Sequence, residues 1–539
     1  MDKLKSTALM LAAVCLLAGC AEKNPDQPKS DTEPNSSQAA SDKSAEDGKS
    51  AEVKDVSEYD DLPLLEIVTK SSKKNVMNFV TKPVAKHVSE TAAQWDPSFR
   101  NAPEPYDEAC TVSLKDPDGT SIIAGADADV KVRGNWTTSY DKKPLRIKFD
   151  KKQSIPSLNG GEKLKNWVLL ASYKDGSLMR DKTAFDISKA LLGEDGLYCS
   201  DCQLVEVTIN GNYWGVYLLA EQQQVNKHRI DITEPEKGYE GTDIGYFLEF
   251  DGYYGNEEAL DSFYVSYNSN APLVPYDGKD GSGKTITCLS GGGSDVGMTI
   301  HSDINSKEQH DFIASYINKV YTIMYEAAYN DTAYVFTDGY KDIEQTDDLT
   351  PQQAVEKVVD LRSLADAYIL NEVACDTDLY WSSFFMDADF GKDGDGKLTF
   401  EAPWDFDSAF GNKDRCASGE GFYAANILWD VNNRYKTVNP WLTVMMYEDW
   451  YQDIIRERWT TVYDEGVFTA AIDNITAESE RAADAIGRNY DKWNNIINNQ
   501  AGSELCARSA ACKTQAECAE YLAEWLTTRV TFLNEHWHN

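Results

Sequence analysis

The run Asn371-Glu372-Val373-Ala374-Cys375-Asp376-Thr377-Asp378-Leu379-Tyr380-Trp381-Ser382-Ser383-Phe384-Phe385-Met386 reads as a helix ending in acids and then a strand. After a polar turn comes Lys397-Leu398-Thr399-Phe400-Glu401-Ala402-Pro403-Trp404-Asp405-Phe406-Asp407, a second strand followed by two further carboxylates. A hairpin brings its two ends together, so Asp376 or Asp378 can approach Asp405 and Asp407. Carboxylates converging from separate segments suit a hard divalent cation, Mg2+ or Mn2+, completed by substrate phosphates. One of them could instead orient the nucleophile of a phosphoryl transfer. Paired carboxylates also serve glycosidases, and a capping or turn-stabilising role is open for Asp405 and Asp407. The turn 387–396 mimics a calcium loop, but an EF-hand begun at Asp387 would need a ligand where Gly391 stands and lacks its closing Glu. A solvated hairpin turn is expected there.

Upstream of this run the chain is β-rich. Ala128-Asp129-Val130-Lys131-Val132-Arg133 and Leu145-Arg146-Ile147-Lys148-Phe149 alternate with period two, and the second places Arg146 and Lys148 on one face. Residues 204–209 and 213–220 form a hairpin around Asn210-Gly211-Asn212, and 245–251 is another strand. Helical spacing runs from Leu178 to Leu192 and, as one long helix, from Gln353 to Cys375; helices should also fill most of 440–535. Residues 252–300 are Gly-, Asp- and Ser-rich, and a loop-rich insertion is expected over about 252–350. The order, strands first and helices second, is α+β.

Composition limits the partners. With 89 acidic against 52 basic residues and a net charge of −37, nothing is left to neutralise a phosphate backbone, so nucleic acid is excluded. Docking on anionic lipid by charge is excluded as well. Lys3 and Lys5, the apolar run from Ala8 to Ala18 and Leu17-Ala18-Gly19-Cys20 read as a signal peptide over 1–20 ending in a motif that resembles a bacterial lipobox. A lipid on Cys20, and Ala21 rather than Asp after it, would place the protein in the cell envelope, at the outer membrane or cell surface. Residues 21–60 carry almost no large apolar side chain and read as a disordered tether, leaving 61–539 as the globular domain. Nine cysteines remain beyond Cys20, and an oxidising compartment predicts that most pair as disulfides. Cys199-Ser-Asp-Cys202 is a lone CxxC, and six scattered histidines without HExxH argue against a zinc hydrolase.

Several short motifs then combine. Arg133-Gly134-Asn135 with Lys142-Lys143-Pro144-Leu145-Arg146-Ile147-Lys148-Phe149, Trp167-Val168-Leu169-Leu170 with Ser177-Leu178-Met179-Arg180-Asp181-Lys182, the stretch 210–222, Gly245-Tyr246-Phe247-Leu248-Glu249-Phe250-Asp251, Pro403-Trp404-Asp405-Phe406-Asp407 with Ala409-Phe410-Gly411, and Arg488-Asn489-Tyr490-Asp491-Lys492-Trp493 occur in order. In that order and spacing they resemble the CotH family of spore coat protein H kinase-like proteins, from about Leu62 to Trp537.

The resemblance implies an atypical protein-kinase-like fold that binds ATP with Mg2+ or Mn2+ and phosphorylates Ser or Thr of an exported protein or of itself. On that plan Lys148 reaches the ATP phosphates, with Arg133 near them. Asp181 or Arg180 on the regulatory helix supplies the lysine's ion-pair partner. Glu221 and Gln222 lie at the adenine-contacting hinge, Asp378 is the catalytic aspartate, and Asp405 holds the metal. Ser383 stands where a protein kinase has its metal-binding Asn, and Asp407 is the possible substitute ligand. There is no GxGxxG and no HRD. The alternative is a non-catalytic kinase-like scaffold or adhesin whose aromatic residues bind a protein or polysaccharide.

Overall fold

Alternating apolar positions build the first half into strands. The computed structural model describes residues 61–539 except for parts of 83–105, and for 268–271, 279–287, 290–295, 415–416, 430–435, 495 and 497–501. The signal, Cys20 and the tether lie outside the described residues. Seven strands, β1 (Leu64–Thr69), β2 (Asp107–Lys115), β3 (Ser121–Val132), β4 (Leu145–Ser154), β5 (Lys163–Leu170), β6 (Cys202–Ile209) and β7 (Asn212–Glu221), close into a barrel of order β1-β2-β3-β4-β5-β7-β6. All pairs are antiparallel except β1 with β6, which closes the ring in parallel. Val130, Val132, Leu145, Ile147, Phe149, Trp167 and Leu169 fill the interior, so the residues between them, Arg146 and Lys148 included, point outward. The β6–β7 turn has Asn210 at φ +51° and Gly211 at φ +75°, the two left-handed positions that an Asn-Gly hairpin favours.

One outer face of the barrel is itself apolar. Val168, Leu170, Leu204, Leu218 and Ala220 join a second, larger core with helix α1 (Arg180–Leu192) and the helical half. Lys142, in the β3–β4 connection, is buried, and among the described residues it has no carboxylate partner. Its Nζ donates to Ala171 O (2.9 Å) and to Val216 O and lies 4.4 Å from the Tyr217 ring centroid. Burial pushes this ammonium down to about 7.

Strands β8 (Gly245–Asp251), β9 (Ser262–Phe263), β10 (Gly297–Ile300) and β11 (Phe384–Asp389) make a four-stranded antiparallel sheet of order β11-β8-β10-β9. The expected loop-rich insertion contains a 24-residue helix, α2 (Lys307–Asn330). A Ser306/Gln309 capping box starts it, and Ile313, Ile317, Val320, Tyr321 and Met324 bury one face. The single helix expected over 353–375 is broken. Val359 bridges Leu398, Asp360 N–H donates to Leu398 O, and α3 (Leu361–Ala374) starts afresh with Asp360 as its cap. The expected second strand, 397–402, is reduced to bridges at Leu398 and Thr399. Helices α4 (Asp449–Asp464), α5 (Val467–Arg481), α6 (Ala483–Trp493) and α7 (Gln515–Trp537) complete the helical half. Among the described residues no helix is long and apolar enough to cross a membrane.

Candidate functional site

The helix end and the segment after the hairpin do meet, and the start of α1 joins them. Asp405 sits at φ +71°, a left-handed conformation that Asp adopts more readily than most L residues but at a cost. The next N–H, that of Phe406, donates to Asp181 Oδ1 in the first turn of α1 (2.9 Å). Arg180 pairs with Asp175 and donates its Nε to Ala409 O (3.2 Å), so the same helical turn grips both ends of 406–409. Lys174 and Asp407 form an ion pair at 2.8 Å with both side chains buried. Asp376 Oδ1 accepts the Asp378 N–H (3.1 Å), leaving Asp378 the more open of the two.

The carboxylates raise one another's proton affinity. Asp405 is pushed up to about 7, first by loss of hydration and then by Asp407 and Asp378. Asp181 lies well above the ordinary carboxylate range through burial, Asp407 and Asp405. Asp376 does so through burial and Asp378. Opposing them are Lys413 at Asp376 and, at Asp405, Lys174 and Arg133, whose guanidinium lies over the Trp404 ring at 5.3 Å and feels Asp405 and Asp181. Among the described residues no three carboxylate, thiol or imidazole groups are gathered into a ready-made metal cage. The donor set fits a Mg2+-type ion, which takes one or two carboxylates and completes its shell with phosphate oxygens and water. Of the five carboxylates, Asp378 and Asp405 are partly exposed and the other three are buried.

The other expected residues are spread more widely. Lys148 is exposed on β4, in register with Asp129 and Asn166. The regulatory-helix residues do not pair with it, since Asp181 accepts from Phe406 and Arg180 is taken by Asp175. Arg133 does join the cluster. The Glu221 carboxylate is buried and committed to Arg229 (2.9 Å), Asn159 Nδ2 and the Asp201 N–H. Gln222 is partly buried with its Oε1 enclosed and, among the described residues, without a partner, and the following Gln223 donates to Ala402 O (2.5 Å), tying the end of β7 to the approach of Asp405. Ser383, at φ +61°, donates its N–H to Glu249 (2.8 Å) and lines a cavity with Asn371, Phe400, Glu401 and Phe406. Asp407 is the partner of Lys174 rather than a free ligand. Lys174 went unnoticed in the sequence, where it stands beside Asp175 with no local mark of its burial.

The turn 387–396 behaves as a turn: Asp389 accepts from Thr233 and Gly391, and Asp395 from Lys397. None of the seven described cysteine side chains is bonded to another of them, so the expected pairing is not seen among them, and Cys288 and Cys416 lie outside the described side chains. Burial pushes Cys199 up to about 12 and Cys202 well above its ordinary value, which is the opposite of a reactive CxxC.

No curated protein matches the chain. Residues 130–533 match the CotH kinase protein family, a span that begins in β3, ends in α7 and takes in every residue of the acidic cluster. On that match, over most of its length and across the whole site, the chain belongs to the CotH kinase protein family.

Proposed function

We propose that this kinase-like protein transfers the γ-phosphoryl group of ATP to a Ser or Thr hydroxyl of an exported protein or of itself. The observation that carries the reading is the convergence of Asp181, Asp376, Asp378, Asp405 and Asp407 with too little positive charge to balance them. A divalent ion with nucleotide phosphates relieves that imbalance, and when bound it would spread the charge of the phosphoryl group in transfer. Asp378, the more open acid, would orient the acceptor hydroxyl and take its proton as the new P–O bond forms and the bond to the β-phosphate breaks, releasing ADP. Asp405 would hold the ion, Asp181 would keep Asp405 in place through Phe406, and Arg133 would face the phosphates. The test is label transfer from γ-labelled ATP by the full chain with Mn2+ or Mg2+, with Asp378→Ala and Asp405→Ala alongside. Transfer should fall at least about a hundredfold in both while melting stays cooperative; transfer that persists in both would remove the reading.

The lipid anchor belongs to the same reading. Attachment at Cys20 would hold the kinase at the cell envelope beside exported substrates. Mass spectrometry of the mature N-terminus checks it, and release of Cys20→Ala into the soluble fraction is the expected outcome.

A scaffold or adhesin is the second reading. It is favoured by Tyr253, 44% exposed and edge-on to Trp381 at 5.9 Å, with Tyr264 45% exposed nearby in sequence. Saturable binding of a surface protein or polysaccharide that is unchanged by Asp405→Ala would support it.

A further inference from the structure

We propose that Arg133 and Arg146 form a two-guanidinium clamp for the phosphate chain of the nucleotide, with Arg146 rather than Lys148 supplying the cation from β4. The inference rests on the phosphotransfer reading for its ligand, and strand register carries it.

β5 leads into α1 and pairs with β7, and its outward residues in the core shared with α1 are Val168 and Leu170, neither of which carries a charge. Arg146 stands directly across from Val168. Lys148 stands across from Asn166, toward the end of β5 that points away from α1. Lys148 is exposed; Arg146 is partly buried, and its Nε is enclosed with no hydrogen-bond partner among the described residues. An enclosed donor without an acceptor costs free energy that a bound anion would recover.

The second arginine completes the geometry. Arg133 rests on Trp404, feels Asp405 and Asp181, and is close enough to Arg146 to be repelled by it. Among the described residues neither guanidinium is in an ion pair. Two like charges held together without carboxylates of their own, beside a cation-seeking cluster of acids, make a seat for a polyanion that arrives with a metal. Guanidinium also suits the task better than ammonium, because its planar fork meets two phosphate oxygens at once.

Calorimetry on the full chain tests this with two probes, tripolyphosphate alone and ATP with Mn2+, while transfer of labelled phosphoryl is followed in parallel. Arg146→Gln should weaken both ligands roughly ten- to hundredfold at an unchanged melting temperature, and Arg146→Lys should restore part of the loss. Lys151→Met, on the exposed far part of β4, serves as the control. The clamp is overturned if Arg146→Gln binds within about threefold of wild type, if Lys148→Met is the weaker binder of the two, or if wild type binds neither probe. Polyanion binding that falls with Arg146→Gln in a protein that transfers no phosphoryl keeps the clamp and removes the kinase reading. Transfer undiminished by Arg146→Gln does the reverse.

Discussion

Asp405 has an energetically expensive position. It occupies a left-handed backbone conformation, and its carboxyl holds a proton to about pH 7 because water is scarce and Asp407 and Asp378 are near. In the unfolded chain the same group ionises near pH 4. Between those values the folded state binds the extra proton, so this group's contribution to stability is present below about pH 4 and lost as the pH rises through about 7. Asp181 and Asp376 are shifted in the same direction and add to the trend. Denaturant melts of the cation-free full chain should therefore show stability falling across this range. Asp405→Asn should remove up to one proton's worth of slope, about 1.4 kcal/mol per pH unit, and an unchanged slope would mean that Asp405 is hydrated in solution. Mn2+ with nucleotide should flatten the wild-type profile. Of these residues, Asp378 and Asp405 stood out in the sequence because acids cluster at the two ends of a hairpin. Lys174 did not, because nothing local distinguishes a lysine that will be buried against Asp407 from one that will be solvated. The burial of Glu221 was hidden for the same reason: its ion pair with Arg229 depends on how the chain folds back after β7.

At the level of elements, the start of α3 aims the chain toward Asp376 and Asp378. Asp360 caps it by accepting from the N–H groups of Arg362 and Ser363 at 3.0 Å each, while its own N–H is held by Leu398. Asp360→Ala should cost about 1 kcal/mol of stability and, on the proposed phosphotransfer reading, lower phosphoryl transfer more than nucleotide binding, since α3 leads into Asp376 and Asp378 and not into the arginines. A denaturant melt and steady-state kinetics check the two parts. The break before α3 was not legible because helical spacing continues straight through Val358 and Val359; a bridge to Leu398, nearly forty residues away, overrides it. The strands of the barrel were legible where one face is buried and the other wet, as in β4. Helix α2 was obscured by the Gly-rich stretch before it, although Ser306 and Gln309 carried a readable capping signal.

On the scale of the whole molecule, the α+β order was visible from the change of period along the chain, and the motifs pointed to the family. Closure of the barrel was not, because the β1–β6 pairing joins Leu64 to Glu206 without any local mark. The two cores that result differ in kind: the interior of the barrel is sealed, while its apolar outer face is shared with α1 and the helical half. Lys142 lies among the sealed parts, and an amine held near neutrality is the form that acylating reagents attack. It is chemically primed and sterically locked, so native-state covalent footprinting turns it into a clock for barrel opening. Lys142 should be modified orders of magnitude more slowly than the exposed Lys148 and Lys151. The rate should rise only with conditions that open the barrel, and mass spectrometry of timed samples would read it peptide by peptide.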